Sequence, residues 1–343
     1  MSSLFRIVVS NCLLLVIQCS AFAQDNWKKA APNARGTQIS YVQRQLDLLF
    51  HGKYEELEKE MASPSLPDAE AIGMTPDRAF FSTFRYEDWN KSPDWEQLFK
   101  RFDEWEAAFP KSPASRLARS TALIDYAWAA RGKGFAGTVT DDGWKLFGER
   151  LVEGVKKLEE ARTLGGDKEA TYWTNMLTFC RGLQAPPDKT KKVVEEGLKR
   201  FPGNPNVYYI YCVAILPRWG GGEGEWQAWV DAQNKDARWG GKEMDPMLYA
   251  QILWLVYGYI YDKDGPFFES KKLSWEKAKL GLDQLCEKHP KSIYWKTARA
   301  HMAWSARDAK ALSAAVAALD GTYDSWAISP KDFQEILNSI HGK

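Results

Sequence analysis

The fold is decided by a phrase that occurs three times, as Phe109-Pro110-Lys111-Ser112-Pro113, Phe201-Pro202-Gly203-Asn204-Pro205 and His289-Pro290-Lys291-Ser292. In each copy the first proline cannot continue the preceding helix, because it lacks a backbone donor and its ring clashes with the previous turn. The serine or asparagine can then cap the next helix, and the proline that follows in two copies fits the first helical position. The phrase therefore predicts three helix–turn–helix boundaries.

Apolar residues recur at helical spacing along nearly the whole chain, and convincing alternating strand patterns are absent. We expect a long helix near 141–163, and a helix over 246–262 that is apolar nearly all round and therefore central. Trp95 precedes Pro110 by the same interval as Trp275 precedes Pro290, which indicates repeated helical hairpins. Such repetition is typical of tetratricopeptide-like arrays. The predicted fold is all-α: an irregular TPR-like α-solenoid of helical hairpins.

The first residues have the pattern of a secretory signal. Arg6 is their only charge, an apolar run covers 7–17, and Ala21-Phe22-Ala23 matches a small-x-small cleavage site. The run is shorter than the roughly 20 residues that span a bilayer. We therefore expect a signal peptide over 1–23, cleaved after Ala23, and a periplasmic or secreted mature protein.

The rest of the chain divides into an N-terminal helical segment over 24–90, with a surface loop at 63–76, and a TPR-like array over 91–343. Loss of residues 1–23 removes one basic residue and no acid, which leaves 45 basic and 45 acidic side chains. Nucleic-acid binding would show as a basic excess or a basic stripe, and neither is present. No later segment is long and apolar enough to predict a membrane span.

The cysteines allow two interpretations. Cys180, Cys212 and Cys286 remain after signal cleavage, and all three lie within apolar helical patterns that favour buried free thiols. In an oxidising compartment, a Cys180–Cys212 disulfide stays possible if their helices are neighbours.

No cofactor, metal or catalytic residue is predicted. Gly132, Gly134 and Gly137 match a dinucleotide-binding spacing, but they follow a helix rather than a strand, so we interpret them as a flexible connection. The four histidines have no metal-ligand spacing. We expect His289 to be solvated and His301 to pack near Trp304. Enzymatic activity stays open, and a binding role is favoured.

The best local candidate for recognition is a repeated motif. Arg218-Trp219-Gly220-Gly221 and Arg238-Trp239-Gly240-Gly241 flank one short helix that carries Trp226. A glycine stop and an arginine that caps free carbonyls would explain the motif as a helix end. A cation beside a large aromatic face would also suit a ligand. Both interpretations stay open, and the second copy is the less explained.

Two phrases resemble a known family. Ala127-Trp128-Ala129-Ala130-Arg131-Gly132 and Pro217-Arg218-Trp219-Gly220-Gly221 are similar to the AWxxRG and PRWGG phrases of a bacterial family of TPR-like proteins with a domain of unknown function. The resemblance covers roughly 95–235. It implies a TPR-like helical fold and carries no established activity, and the second RWGG lies outside it.

We expect a protein that binds a protein or peptide partner on a concave surface formed by helices near 113–131, 167–182, 205–217 and 292–305. The alternative is an envelope carbohydrate-binding or carbohydrate-active protein with an aromatic-lined cleft. The candidate binding residues are Trp128, Arg131, Arg218, Trp219, Trp226, Arg238 and Trp239.

Overall fold

A computed structural model describes residues 34–66, 68–85, 94–132, 134, 136–260, 267–270 and 272–341. The expected signal peptide and its cleavage site lie outside these residues. Within them the chain forms 16 α-helices and six short 3₁₀ helices, with no β-strand. The all-α prediction is therefore confirmed.

The α-helices are α1 (Ala34–Phe50), α2 (Tyr54–Ala62), α3 (Pro76–Phe81), α4 (Trp95–Ala108), α5 (Ala114–Arg131), α6 (Asp141–Thr163), α7 (Ala170–Gly182), α8 (Pro187–Arg200), α9 (Pro205–Ala214), α10 (Glu225–Asn234), α11 (Pro246–Ile260), α12 (Phe267–Ser270), α13 (Trp275–Lys288), α14 (Ile293–Ser305), α15 (Ala309–Ala317) and α16 (Pro330–His341).

The three proline phrases form the boundaries expected of them. Ser112 Oγ accepts a hydrogen bond from the Ala114 N–H at 3.1 Å, just before α5. Asn204 caps α9, where Pro205 occupies the first turn. Ser292 Oγ accepts from the Trp295 N–H at 3.0 Å and caps α14. Each phrase therefore closes one helix and starts its partner.

Consecutive helices pack as hairpins, and one helix of each hairpin joins an inner row. Helices α5, α7, α9 and α11 lie side by side in that order, while α6, α8 and α13 pack on their other side. Helix α11 is largely buried, and Ile252 and Leu253 have no exposed surface. The helical-repeat fold is therefore present, and its inner row forms a concave face.

A segment that precedes the array crosses this concave face. We call residues 68–85 the N-terminal strap. At one end, Ser292 Oγ of α14 donates to the Ala71 carbonyl at 2.6 Å, and the Trp295 indole donates to the Glu70 carbonyl at 2.7 Å. At the other end, Arg85 forms an ion pair with Asp125 of α5 at 2.7 Å. The strap therefore joins the first inner helix to the last hairpin.

The strap corrects two expectations from the sequence. Residues 63–76 were predicted as a surface loop, but Leu66, Ile72 and Met74 are buried in a small second core. Their apolar side chains pack in one cluster with Tyr41 of α1 and Ala79 of α3, which the local pattern of prolines and glycines does not show. His289 was expected in solvent, yet it is buried, with Nδ1 lying 3.3 Å from an Asp68 carboxylate oxygen of the strap.

Candidate binding cavity on the concave face

The strap and the inner helices border a half-open cavity of about 1460 Å³. Its walls come from the strap, α5, α7, α9 and α11, with Tyr294 of α14 at one side. Typical small-molecule pockets measure about 300–1,000 Å³. This cavity therefore has room for a ligand larger than a common metabolite.

The two phrases that carry the family resemblance meet at the cavity. Trp128 of α5 and Trp219, in the turn after α9, pack edge to face with ring centroids 5.8 Å apart. The Arg131 guanidinium lies 5.3 Å from the centroid of Trp128 and 5.1 Å from that of Trp144, and it donates to the Gly134 carbonyl at 3.1 Å. Arg131 thus fixes the glycine-rich connection beside the two tryptophans.

Arg181, in the last turn of α7, lies among three aromatic rings. Its guanidinium carbon is 5.2 Å from the centroid of Trp219, 5.8 Å from Trp128 and 5.9 Å from Tyr259. Its Nε is buried and has no hydrogen-bond partner among the described residues. Loss of hydration lowers the pKa of Arg181, and the nearby guanidinium groups of Arg85 and Arg218 also lower it. The group is cationic, enclosed and without a carboxylate counterpart in the described part of the chain.

Further arginines line the same cavity. The Arg218 guanidinium lies 4.3 Å from the centroid of Tyr259, and its Nη2 donates to the Tyr259 carbonyl at 2.9 Å near the end of α11. Arg78 of α3 donates to the Asn206 side-chain oxygen. Burial lowers the pKa of Arg78, and Arg85 adds to this effect. These contacts leave both cations without a carboxylate partner among the described residues.

Acidic groups are few at this site. Asp77 is the only carboxylate residue among the described lining residues, and it accepts a hydrogen bond from the Thr171 hydroxyl at 3.2 Å. Beside it, burial raises the pKa of Glu169, and the charge of Asp77 adds to this effect. The cavity is therefore strongly cationic, although the chain carries 46 basic and 45 acidic residues in total.

A polar stripe on α7 forms the floor between the arginines and the strap. It consists of Thr171, Thr174, Asn175 and Thr178, which share one helix face with Arg181. The Asn175 amide donates to Ser120 and Thr121 of α5 at 2.9 Å each. These two bonds fix the side chain and leave its carbonyl oxygen as an acceptor.

The first RWGG copy serves both the turn and the cavity. Gly220 has a φ of 97°, in the left-handed region that favours glycine. A Cβ at Gly221 would lie 1.9 Å from the Ile215 carbonyl oxygen, so no larger residue fits without a shift. The Trp219 indole N–H is buried and has no hydrogen-bond partner among the described residues. The glycines therefore end the 3₁₀ helix Pro217–Trp219, and the Trp219 indole N–H is a donor without a partner in the described part of the chain.

The second RWGG copy forms the same turn, but its arginine and tryptophan lie outside the cavity. The Arg238 guanidinium donates to the Asp236 carboxylate at 2.8 Å, and the Trp239 indole donates to the Gln233 carbonyl at 2.7 Å. Neither residue lines the cavity. Trp226, on the helix between the copies, is only 2% exposed. Of the seven candidates, Trp128, Arg131, Arg218 and Trp219 come together at the cavity, while Trp226, Arg238 and Trp239 stay outside it.

Arg181, Arg78 and Tyr259 line the cavity but were not among the candidates predicted from the sequence. A signal for Arg181 was present, because polar residues recur along α7 with helical spacing in an otherwise apolar segment that ends at this arginine. Arg78 and Tyr259 give no such signal. Their role depends on the strap and on the end of α11 meeting at the concave face.

Three further findings concern residues that the sequence singled out. Cys180, Cys212 and Cys286 are all free thiols, so the possible Cys180–Cys212 bridge is not formed in this structure. In the described part of the chain, no cluster of three or more histidine, cysteine or acidic side chains could hold a metal ion. None of the described helices is both long and apolar enough to cross a membrane.

Comparison with known proteins finds no matching family model, no matching curated protein and no matching solved structure. The family resemblance therefore stays a prediction from the two phrases, and the site is interpreted from its own chemistry.

Proposed function

We propose that this chain is a TPR-like binding protein of the periplasm or the secreted space, and that its concave cavity holds a segment of a protein or peptide partner. One observation carries the proposal: Trp128, Trp219 and Arg181 come from separate elements and converge on one cavity of about 1460 Å³.

The chemistry of the lining supports this function. Helical-repeat proteins commonly bind partners on the concave surface of the array. Tryptophan, tyrosine and arginine are the residues that most often dominate binding energy at protein interfaces. Here they lie beside a stripe of threonine and asparagine that can exchange hydrogen bonds with a peptide backbone.

A glycan is the second candidate, favoured by the exposed aromatic faces of Trp144 and Trp326 at the same cavity, 39% and 53% exposed. Glycoside hydrolysis ordinarily requires two carboxyl groups that face one another across the bond. Asp77 is the only acid among the described lining residues. The second candidate is therefore glycan binding without hydrolysis.

The test begins with the mature chain, residues 24–343, screened against a displayed library of random peptides and an array of oligosaccharides. The selected ligands are then measured by calorimetry against wild type, Trp219→Leu and Trp239→Leu. The second variant is the matched control, because Trp239 is the same residue in the same turn but outside the cavity. We expect peptide binding that Trp219→Leu weakens and Trp239→Leu leaves unchanged.

Two results would contradict the proposal. Selected peptides that bind both variants as well as wild type would place the binding surface elsewhere. Selection of oligosaccharides alone would favour the glycan candidate.

A further inference from the structure

We infer that the bound segment is acidic, with side-chain carboxylates that pair with Arg181, Arg218 and Arg78 inside the cavity; this inference rests on the proposed function.

The charge of the cavity arginines favours an acidic ligand. Arg78, Arg181 and Arg218 have no carboxylate partner among the described residues. Arg85, which lines the same cavity, forms an ion pair with Asp125. A guanidinium removed from water without a counterion costs free energy, and a ligand carboxylate would recover part of it. The fold keeps Arg78 and Arg181 half-buried beside the exposed Arg218, which a purely structural role does not require.

The positions of the arginine donors suit a carboxylate. The guanidinium carbons of Arg181 and Arg218 lie 5.9 Å and 4.3 Å from the centroid of Tyr259. The rings of Trp128 and Trp219 also lie beside the Arg181 guanidinium. A fixed, planar guanidinium binds a carboxylate through two parallel hydrogen bonds. Arg181 Nε and Trp219 Nε1 are buried donors with no partner in the described part of the chain.

The shape and polarity of the remaining wall favour a peptide over a small anion. The α7 stripe leads away from Arg181 along the cavity, and the Asn175 side chain is held by Ser120 and Thr121 with its carbonyl oxygen available to a backbone N–H. A free anion would occupy only the arginine end of this cavity, whose volume is about 1460 Å³. A peptide could pair its acidic side chains with the arginines at one end of the cavity and bond its backbone to the α7 stripe along the rest.

Binding is tested with two matched pools of short synthetic peptides. Each acidic peptide contains aspartate, glutamate and one aromatic residue, and its counterpart carries asparagine and glutamine at the same positions. Affinity is measured for wild type, Arg181→Met, Arg181→Lys and the control Arg238→Met, whose guanidinium is paired with Asp236 outside the cavity. Citrate and sulfate are added as free-anion probes.

We expect acidic peptides to bind wild type about tenfold or more tightly than their amide counterparts, and more weakly as salt is raised. Arg181→Met should lose about tenfold or more in affinity, and Arg238→Met should stay within about twofold. Arg181→Lys keeps the charge but loses the two-point fork, so it should fall between wild type and Arg181→Met. This variant keeps the test valid if Arg181→Met does not fold.

Equal affinity for acidic and amide peptides would overturn the inference and leave the proposed function intact. Binding of citrate or sulfate as tight as that of any acidic peptide would replace the peptide by a free anion and overturn the inference. Failure of both pools, together with failure of the random library, would overturn the proposed function as well.

Discussion

Replacement of Ser292 by alanine tests how firmly the strap is held to the array. The Ser292 hydroxyl has two roles, because it caps α14 through the Trp295 N–H and donates to the buried Ala71 carbonyl of the strap at 2.6 Å. Loss of a serine cap costs about 1 kcal/mol. A buried carbonyl left without a partner costs about 1–3 kcal/mol. We therefore expect Ser292→Ala to lower the free energy of unfolding by about 2–4 kcal/mol.

The matched control is Ser274→Ala. Ser274 Oγ caps α13 through the Lys277 N–H at 3.2 Å, and its side chain does not contact the strap. This variant should cost about 1 kcal/mol, so the difference between the two measures the strap bond. Urea unfolding followed by circular dichroism gives both values, and limited proteolysis should cut residues 68–85 faster in Ser292→Ala alone. Equal destabilisation by the two variants would refute the reasoning.

Three further predictions concern separate parts of the fold. Burial lowers the pKa of His301 from 6.5 to about 4. Between these pH values the unfolded chain therefore binds a proton at His301 that the folded chain does not bind. Stability should therefore fall as pH drops from about 6.5 to about 4, by up to about 3 kcal/mol, and His301→Phe should flatten this slope in urea titrations at several pH values. Gly221→Ala should lower the melting temperature because its Cβ would meet the Ile215 carbonyl, whereas Gly203→Ala, with open space around it, should not; equal effects would contradict this. The denatured mature chain should release three thiols to Ellman's reagent without reductant, while a single thiol would indicate a disulfide.

The helices were predictable because their signals are local. The proline phrases carry both the stop and the cap within five residues, and Ser112, Asn204 and Ser292 perform that role in the structure. The apolar stretch over 246–262 became the buried α11 for the same reason. Periodicity and capping are properties of neighbouring residues, so the sequence alone is sufficient for them.

The site was predictable only in part, because it depends on contacts between distant segments. Trp128 and Trp219 were candidates because each belongs to a recognisable phrase. Arg181 resembles an ordinary arginine in the last turn of a helix, and its surroundings exist only after α5, α7 and α11 have packed. The two RWGG copies also have different surroundings, since Asp236 pairs with the second arginine, whereas no acid among the described residues pairs with the first.

The strap changes the order in which this protein can acquire its structure. Hairpins of a solenoid need only their neighbours and can form as the chain is made. The hydrogen bonds from Ser292 and Trp295 to the strap join residues 221 and 225 positions apart, so they must wait for the last hairpins. Such distant closure is slow and couples the two ends into one cooperative unit. We therefore expect a chain that stops before α14 to retain most of its hairpins and to lose these bonds to the strap beside the cavity.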